Sequence, residues 1–87
     1  METEKPIRLS NHALIQCKER GVSIDEVIET IRNGTREPAK KNCFQSKQNF
    51  QYNDFWFDSF YPIKQVSPVF VDEEDEIVVV TVYSYYF

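Results

Sequence analysis

The strongest constraint on this chain is a change of hydrophobic period at Asn33-Gly34. Before it, Ile24, Val27, Ile28 and Ile31 recur at i, i+3, i+4 and i+7, the spacing of a helix with one buried stripe. After it, from Thr35 onward, β-branched and aromatic residues alternate with turn signals. A helical stripe must be covered by another layer, and the only layer left is a sheet. The fold class that follows is α+β: two N-terminal helices in a helical hairpin, then a mostly antiparallel sheet of three to four strands.

The helix boundaries are written in cap chemistry. Ser23-Ile24-Asp25-Glu26 is a capping box, and Val22 and Val27 stand where a hydrophobic staple closes over it. Asp25 and Glu26 in the first turn and Arg32 in the last complement the helix dipole. An earlier helix starts at the N-cap Ser10 and stops at Gly21, the residue best suited to a left-handed C-cap. Its apolar positions Ala13, Leu14 and Cys17 share one face.

Strands are expected at residues 43–46, 64–71 and 77–83, with a short edge strand at 35–38. The acidic residues 72–75 read as a solvated hairpin turn. Residues 50–57 are strand or ordered aromatic loop, and the aromatic segment 52–61 is expected mainly in the core. Residues 1–8 are polar and are expected to be a flexible lead-in.

At 87 residues, one domain is expected throughout, and 41% hydrophobic content supports a single core. Residues 1–8 lack an apolar leader segment, and the longest strongly apolar run, residues 77–80, is too short to span a bilayer. A cytoplasmic location without membrane association is the expectation. Cys17 and Cys43 lack metal-ligand spacing and there is one histidine, so two reduced thiols are expected, with a disulfide as the alternative. The acidic run lacks the glycine and ligand spacing of a calcium loop. No metal or cofactor is expected.

Net charge is −4, which argues against strong nonspecific nucleic-acid binding, but the charge is unevenly spread. Arg32, Arg36, Lys40, Lys41 and Lys47 face a single acid, Glu37, whereas after Gln51 seven acids face Lys64 alone.

The run His12-Ala13-Leu14-Ile15-Gln16-Cys17-Lys18-Glu19-Arg20-Gly21-Val22-Ser23, followed by Glu26-Val27, resembles a small bacterial family, domain of unknown function 4258. The acidic turn and Val80-Thr81-Val82-Tyr83 resemble that family's C-terminal hallmark. These stretches cover about half the chain. The resemblance implies a RelE-like layout, similar to the RelE/ParE-like and barnase-like ribonuclease toxins, with RNA or a ribosome and an antitoxin as the implied partners. The family carries an arginine where this chain has Gln16. If that arginine pairs with phosphate, its replacement implies weakened or absent catalysis.

Positions 12, 16 and 20 lie four apart, so His12, Gln16 and Arg20 form a polar stripe beside the apolar face of the first helix. A helix N-terminus disfavours an imidazolium, which suits His12 to a general base, and Arg20 could hold a phosphate. Together with Tyr83 as acid or stacking platform, these are parts for RNA cleavage by a 2′-hydroxyl without metal. Gln16 and the five basic residues of the middle would track the RNA backbone. The structural alternative is a hydrogen-bonded rim histidine and an Arg20 that meets the helix dipole, Glu26 or Glu29. The rival function is a non-enzymatic protein-interaction module, using aromatic sheet residues and the tail 83–87 to bind a protein partner or a second copy.

Overall fold

The structure is a computed structural model and describes residues 5–87. The chain runs β1 (Ile7–Leu9), α1 (Asn11–Arg20), α2 (Ile24–Asn33), β2 (Thr35–Pro38), β3 (Cys43–Trp56), β4 (Ser59–Asp72) and β5 (Ile77–Tyr86). The caps fall where the sequence sets them. The Ser10 hydroxyl accepts from the Ala13 N–H, and both hydrogen bonds of the Ser23–Glu26 capping box form. Gly21 ends α1 in the left-handed region at φ 69.

The two apolar stripes are rotated from expectation. In α1 the buried residues are Ala13, Gln16 and Cys17, while Leu14 is exposed. Gln16 can be buried because its side-chain oxygen accepts from the Val82 N–H at 2.8 Å. In α2, Val27, Thr30 and Ile31 are buried and Ile24 is exposed. Thr30 loses no polar partner, since its hydroxyl donates to the Glu26 carbonyl at 2.7 Å.

The sheet has five strands in the order β1-β5-β4-β3-β2, not three to four. It is mixed: β1 runs parallel to β5 and the other three pairings are antiparallel. Two features of the sequence hide this count. Ile7-Arg8-Leu9 is too short to show alternation, so β1 is read as lead-in; residues 1–4 of that lead-in lie outside the described residues. The segments 43–46 and 50–57 are joined into one long strand, β3, that ends at Trp56, and β4 begins at Ser59 rather than at Lys64.

Two bulges set which residues face which side. In β5, Thr81 pairs with Val69 but Val79 pairs with Phe70, which leaves Val80 as an extra residue. The buried set therefore changes phase, from Ile77 and Val79 to Val82. In β3, Tyr52 and Asn53 together oppose Pro62, with Asn53 at φ 49. Pro62 brings no N–H to the ladder there.

Both helices pack on one face of the sheet, α1 on β5 and α2 on β4 and β3. The core between the layers joins Ala13, Cys17, Val22, Val27 and Ile31 to Val66, Phe70, Val79 and Val82. Lys64 enters this layer from β4. Its ammonium donates to the Gly21 carbonyl at 2.9 Å and to Glu26 Oε1 at 2.8 Å. The Ser84 and Tyr86 hydroxyls both donate to the Arg20 carbonyl, at 3.1 and 2.7 Å. The orphan carbonyls at the end of α1 are thus capped by side chains of the sheet. Burial pushes the Tyr86 phenol up to about 12, so it stays a donor.

The acidic turn is tied down at its first residue rather than wholly solvated. Asp72 accepts from Lys5 at 2.7 Å and from Arg36 at 2.9 Å. The Lys5 hydrogen bond first, and the Arg36 one after it, hold the Asp72 carboxyl below its usual value. A carboxyl lowered in this way stabilises the fold above the ordinary carboxylate range. The contribution is lost as pH falls through the lowered folded value. In urea titrations between neutral and strongly acidic pH, wild type is expected to lose more stability than Asp72→Asn, and equal losses would contradict the assignment.

Gly21 has a second constraint besides its φ. A Cβ there would stand 2.5 Å from Trp56 Cζ3 and 2.8 Å from Tyr86 Oη. Gly21→Ala is expected to cost about 1–3 kcal/mol in denaturant unfolding. A loss within error of zero would show that the Trp56 ring is not held against this turn.

Candidate functional site

Among the described residues, no layer covers the face of the sheet turned away from the helices. Its rows follow from the strand register: Gln45 beside Val69 beside Thr81, then Asn49 beside Gln65 beside Tyr85. Between those rows Ser67 pairs with Tyr83, and beyond the second row Ile63 exchanges two backbone hydrogen bonds with Phe87. Successive rows on one face stand about 7 Å apart. Tyr83, Tyr85 and Phe87 line the β5 side of this face and are 40%, 49% and 54% exposed.

Near the β2–β3 turn the face deepens into a cleft of about 290 Å³, lined by Ala39, Lys40, Cys43, Gln45, Val69, Thr81 and Tyr83. The amides beside it are held by hydrogen bonds. Gln45 Nε2 donates to the buried Ser67 hydroxyl at 2.7 Å, and Gln65 Nε2 donates to Asn49 Oδ1 at 3.0 Å. That leaves the Gln65 carbonyl and the Asn49 amide nitrogen without a partner among the described residues. An acceptor and a donor side by side on a strand face can read the hydrogen-bonding edge of a flat polar ligand.

The residues singled out from the sequence divide. Tyr83 and Lys40 line the cleft. Lys47 lies on β3 opposite Thr35, two residues from both Gln45 and Asn49, and is exposed. Lys41 sits in the adjoining turn at φ 49. Arg36 is taken up elsewhere: besides Asp72, its guanidinium lies over the Phe44 and Phe70 rings at 5.1 and 4.9 Å. Arg32 donates to the Lys5 carbonyl at 2.8 Å. The basic middle is therefore split between the cleft end of the sheet and the packing of the fold.

Gln16 and Arg20 act together, on the edge of β5 rather than around an open pocket. β1 covers β5 only as far as Val79. Beyond it, Gln16 accepts from the Val82 N–H, and Arg20 donates to the Val82 carbonyl at 2.6 Å. These two side chains replace one residue of a neighbouring strand. Arg20 also lies 5.3 Å from the centre of the Tyr83 ring, so it joins the edge to the open face. It stands in the last turn of α1, where its charge complements the helix dipole, and its contacts are this ring and Val82 rather than the Glu26 or Glu29 that the sequence suggests. His12 is exposed, and its Cα lies about 12 Å along the α1 axis from that of Arg20.

Cys17 and Cys43 are both free thiols. Burial, with a smaller contribution from Glu26, pushes the Cys17 thiol up, which suits a packing role. Cys43 lies in the cleft instead. Cys43, Gln45, Asn49 and Gln65 escaped the sequence reading as site residues. The signal for the first three is the alternation of Cys43, Gln45, Lys47, Asn49 and Gln51 with Phe44, Ser46, Gln48 and Phe50.

Among the described residues, no group of three His, Cys, Asp or Glu could hold a metal ion, and no helix is long and apolar enough to cross a membrane. Gln16→Leu is expected to cost about 1–3 kcal/mol in urea unfolding, because it strands the buried Val82 N–H. Gln16→Glu keeps the acceptor and is expected to lose less; the reverse order would refute the edge-capping role.

Comparison with curated proteins and with solved structures yields no significant match. The model of one family, described as a domain of unknown function (DUF4258), matches residues 9–84, from the last residue of β1 through most of β5, and the chain belongs to that family.

Proposed function

We propose that the helix-free face of the sheet binds single-stranded RNA. One observation carries the reading: Tyr83, Tyr85 and Phe87 form a half-exposed ring row on the same face as Asn49 and Gln65, beside a cleft flanked by Lys40. Sequence-specific RNA readers stack unpaired bases on aromatic rings and bond their edges through amides, on an open antiparallel sheet. Lys40, Lys41 and Lys47 supply positive charge at one end. The overall charge of −4 opposes nonspecific binding, but locally the balance is reversed: across residues 38–53 Lys40, Lys41 and Lys47 meet no acid.

The reading is of binding rather than strand cleavage. The candidate base His12 and the candidate phosphate ligand Arg20 stand far apart along α1, and Arg20 is occupied at Val82. A toxin-like setting, with the ribosome as the source of RNA and an antitoxin as protein partner, belongs to the same proposal and rests on the RelE-like layout that the sequence resemblance implies. The interaction-module reading has its own support in Phe55, Phe57 and Phe60, which are exposed at the end of the β3–β4 hairpin.

Fluorescence anisotropy with labelled single-stranded oligoribonucleotides tests the proposal. Tyr85→Ala is expected to weaken binding by about 1–3 kcal/mol, roughly 5- to 150-fold. Lys47→Ala is expected to weaken it with a shallower salt dependence, and His12→Ala to leave it unchanged. Absence of binding by wild type at low salt, or loss of binding only on changing Phe55, Phe57 and Phe60, would sink the proposal in favour of a protein partner.

A further inference from the structure

The outer edge of β5 is unfinished. In the β4–β5 ladder, Ile63 and Phe87 exchange both backbone hydrogen bonds, so residues in step with Phe87 bond inward to β4. Val82, Ser84 and Tyr86 are out of step and turn their N–H and C=O groups to the outer side. Val82 confirms this, since Gln16 and Arg20 reach it there. Ser84 and Tyr86 have no such cap: no backbone hydrogen bond to an outer neighbour occurs at either among the described residues.

We infer that this edge pairs with the same edge of a second copy of the chain, antiparallel about a two-fold axis at Tyr85. The register is dictated by the groups on offer. Val82 is occupied, so the free pairs are Ser84 with Tyr86 of the second copy and the reverse, which gives four backbone hydrogen bonds. Tyr85 then faces its own copy in a non-hydrogen-bonded pair, where side chains approach most closely. Tyr83 faces Phe87 of the second copy. All three lie on the open face and are about half exposed, so the pairing joins two rows of three rings into one.

Charge selects this occupant. A two-fold axis places each residue near its own kind, so a charge close to the axis would meet a like charge. β5 and Phe87 carry no charged residue at all. Monomeric proteins commonly guard an open edge with lysine, proline or a bulge facing outward, and residues 83–87 have none of these. The contact is small beside a standard interface of roughly 800 Å² per partner, so a weak dimer, in the micromolar range or above, is expected. The inference does not depend on the RNA reading.

The test is sedimentation velocity of the purified chain from low micromolar to near-millimolar concentration, with amide hydrogen exchange followed over the same range. The expected result is a reversible monomer–dimer equilibrium in which the Ser84 and Tyr86 amides gain protection as concentration rises. Tyr85→Lys sets two ammonium groups against each other at the axis and is expected to leave a monomer with an unchanged circular dichroism spectrum. Ser84→Pro removes one outward N–H and is expected to weaken the dimer as well. A chain that stays monomeric throughout overturns the inference. So does a dimer that persists in Tyr85→Lys or protects amides other than those of the β5 edge.

Discussion

The structure turns on one buried ammonium. Lys64 stands at the middle of β4, and its Nζ joins the Gly21 carbonyl at the end of α1 to the Glu26 carboxylate in the first turn of α2. Lys64 is 6% exposed, so these partners take the place of water. A cation placed there fixes both helices at their shared turn and fixes that turn over one residue of the sheet. The same Glu26 completes the capping box of α2, which couples the start of that helix to the sheet. Around this point the two layers supply each other's missing hydrogen bonds. Side chains of β4 and β5 cap the last carbonyls of α1, and side chains of α1 cap the edge of β5.

This reciprocity explains why the open face is open. Two short helices, with their polar ends held by the sheet, cover one side and no more. The chain then has apolar and amide residues on the other side of β3, β4 and β5 with nothing from α1 or α2 to meet them. Ser67 is fully buried even there, under the Gln45 amide and between neighbouring strands, which shows how closely the side chains of this face lean together.

The helices were legible in the sequence because caps are local: Ser10, Gly21, Ser23 and Glu26 each act on atoms within a few residues. The second half was less legible because its determinants are not local. Val80 reads as one more valine in an alternating run, and only the pairing of Val69 with Thr81 and Phe70 with Val79 makes it a bulge. Pro62 suggests a break, but the bulge at Tyr52 and Asn53 absorbs it and the strands continue. Of the proposed site, Tyr83, Lys40 and Lys47 could be found as residue types, and Gln16 and Arg20 as a stripe. What the stripe touches could not be found, because the bare Val82 backbone is a product of how short β1 is. The family match over residues 9–84 agrees with the helical motif that carried the resemblance.

The long β3–β4 hairpin folds back on the body at one place. Trp56 stacks on Tyr86 with ring centres 4.7 Å apart and planes 11° from parallel, and its edge lies against Gly21. It is the only tryptophan in the chain. The protein therefore carries its own optical reporter at the junction of hairpin tip, helical turn and β5. Indole emission will respond when the tip lifts away from Tyr86, with no label to disturb the contact being watched.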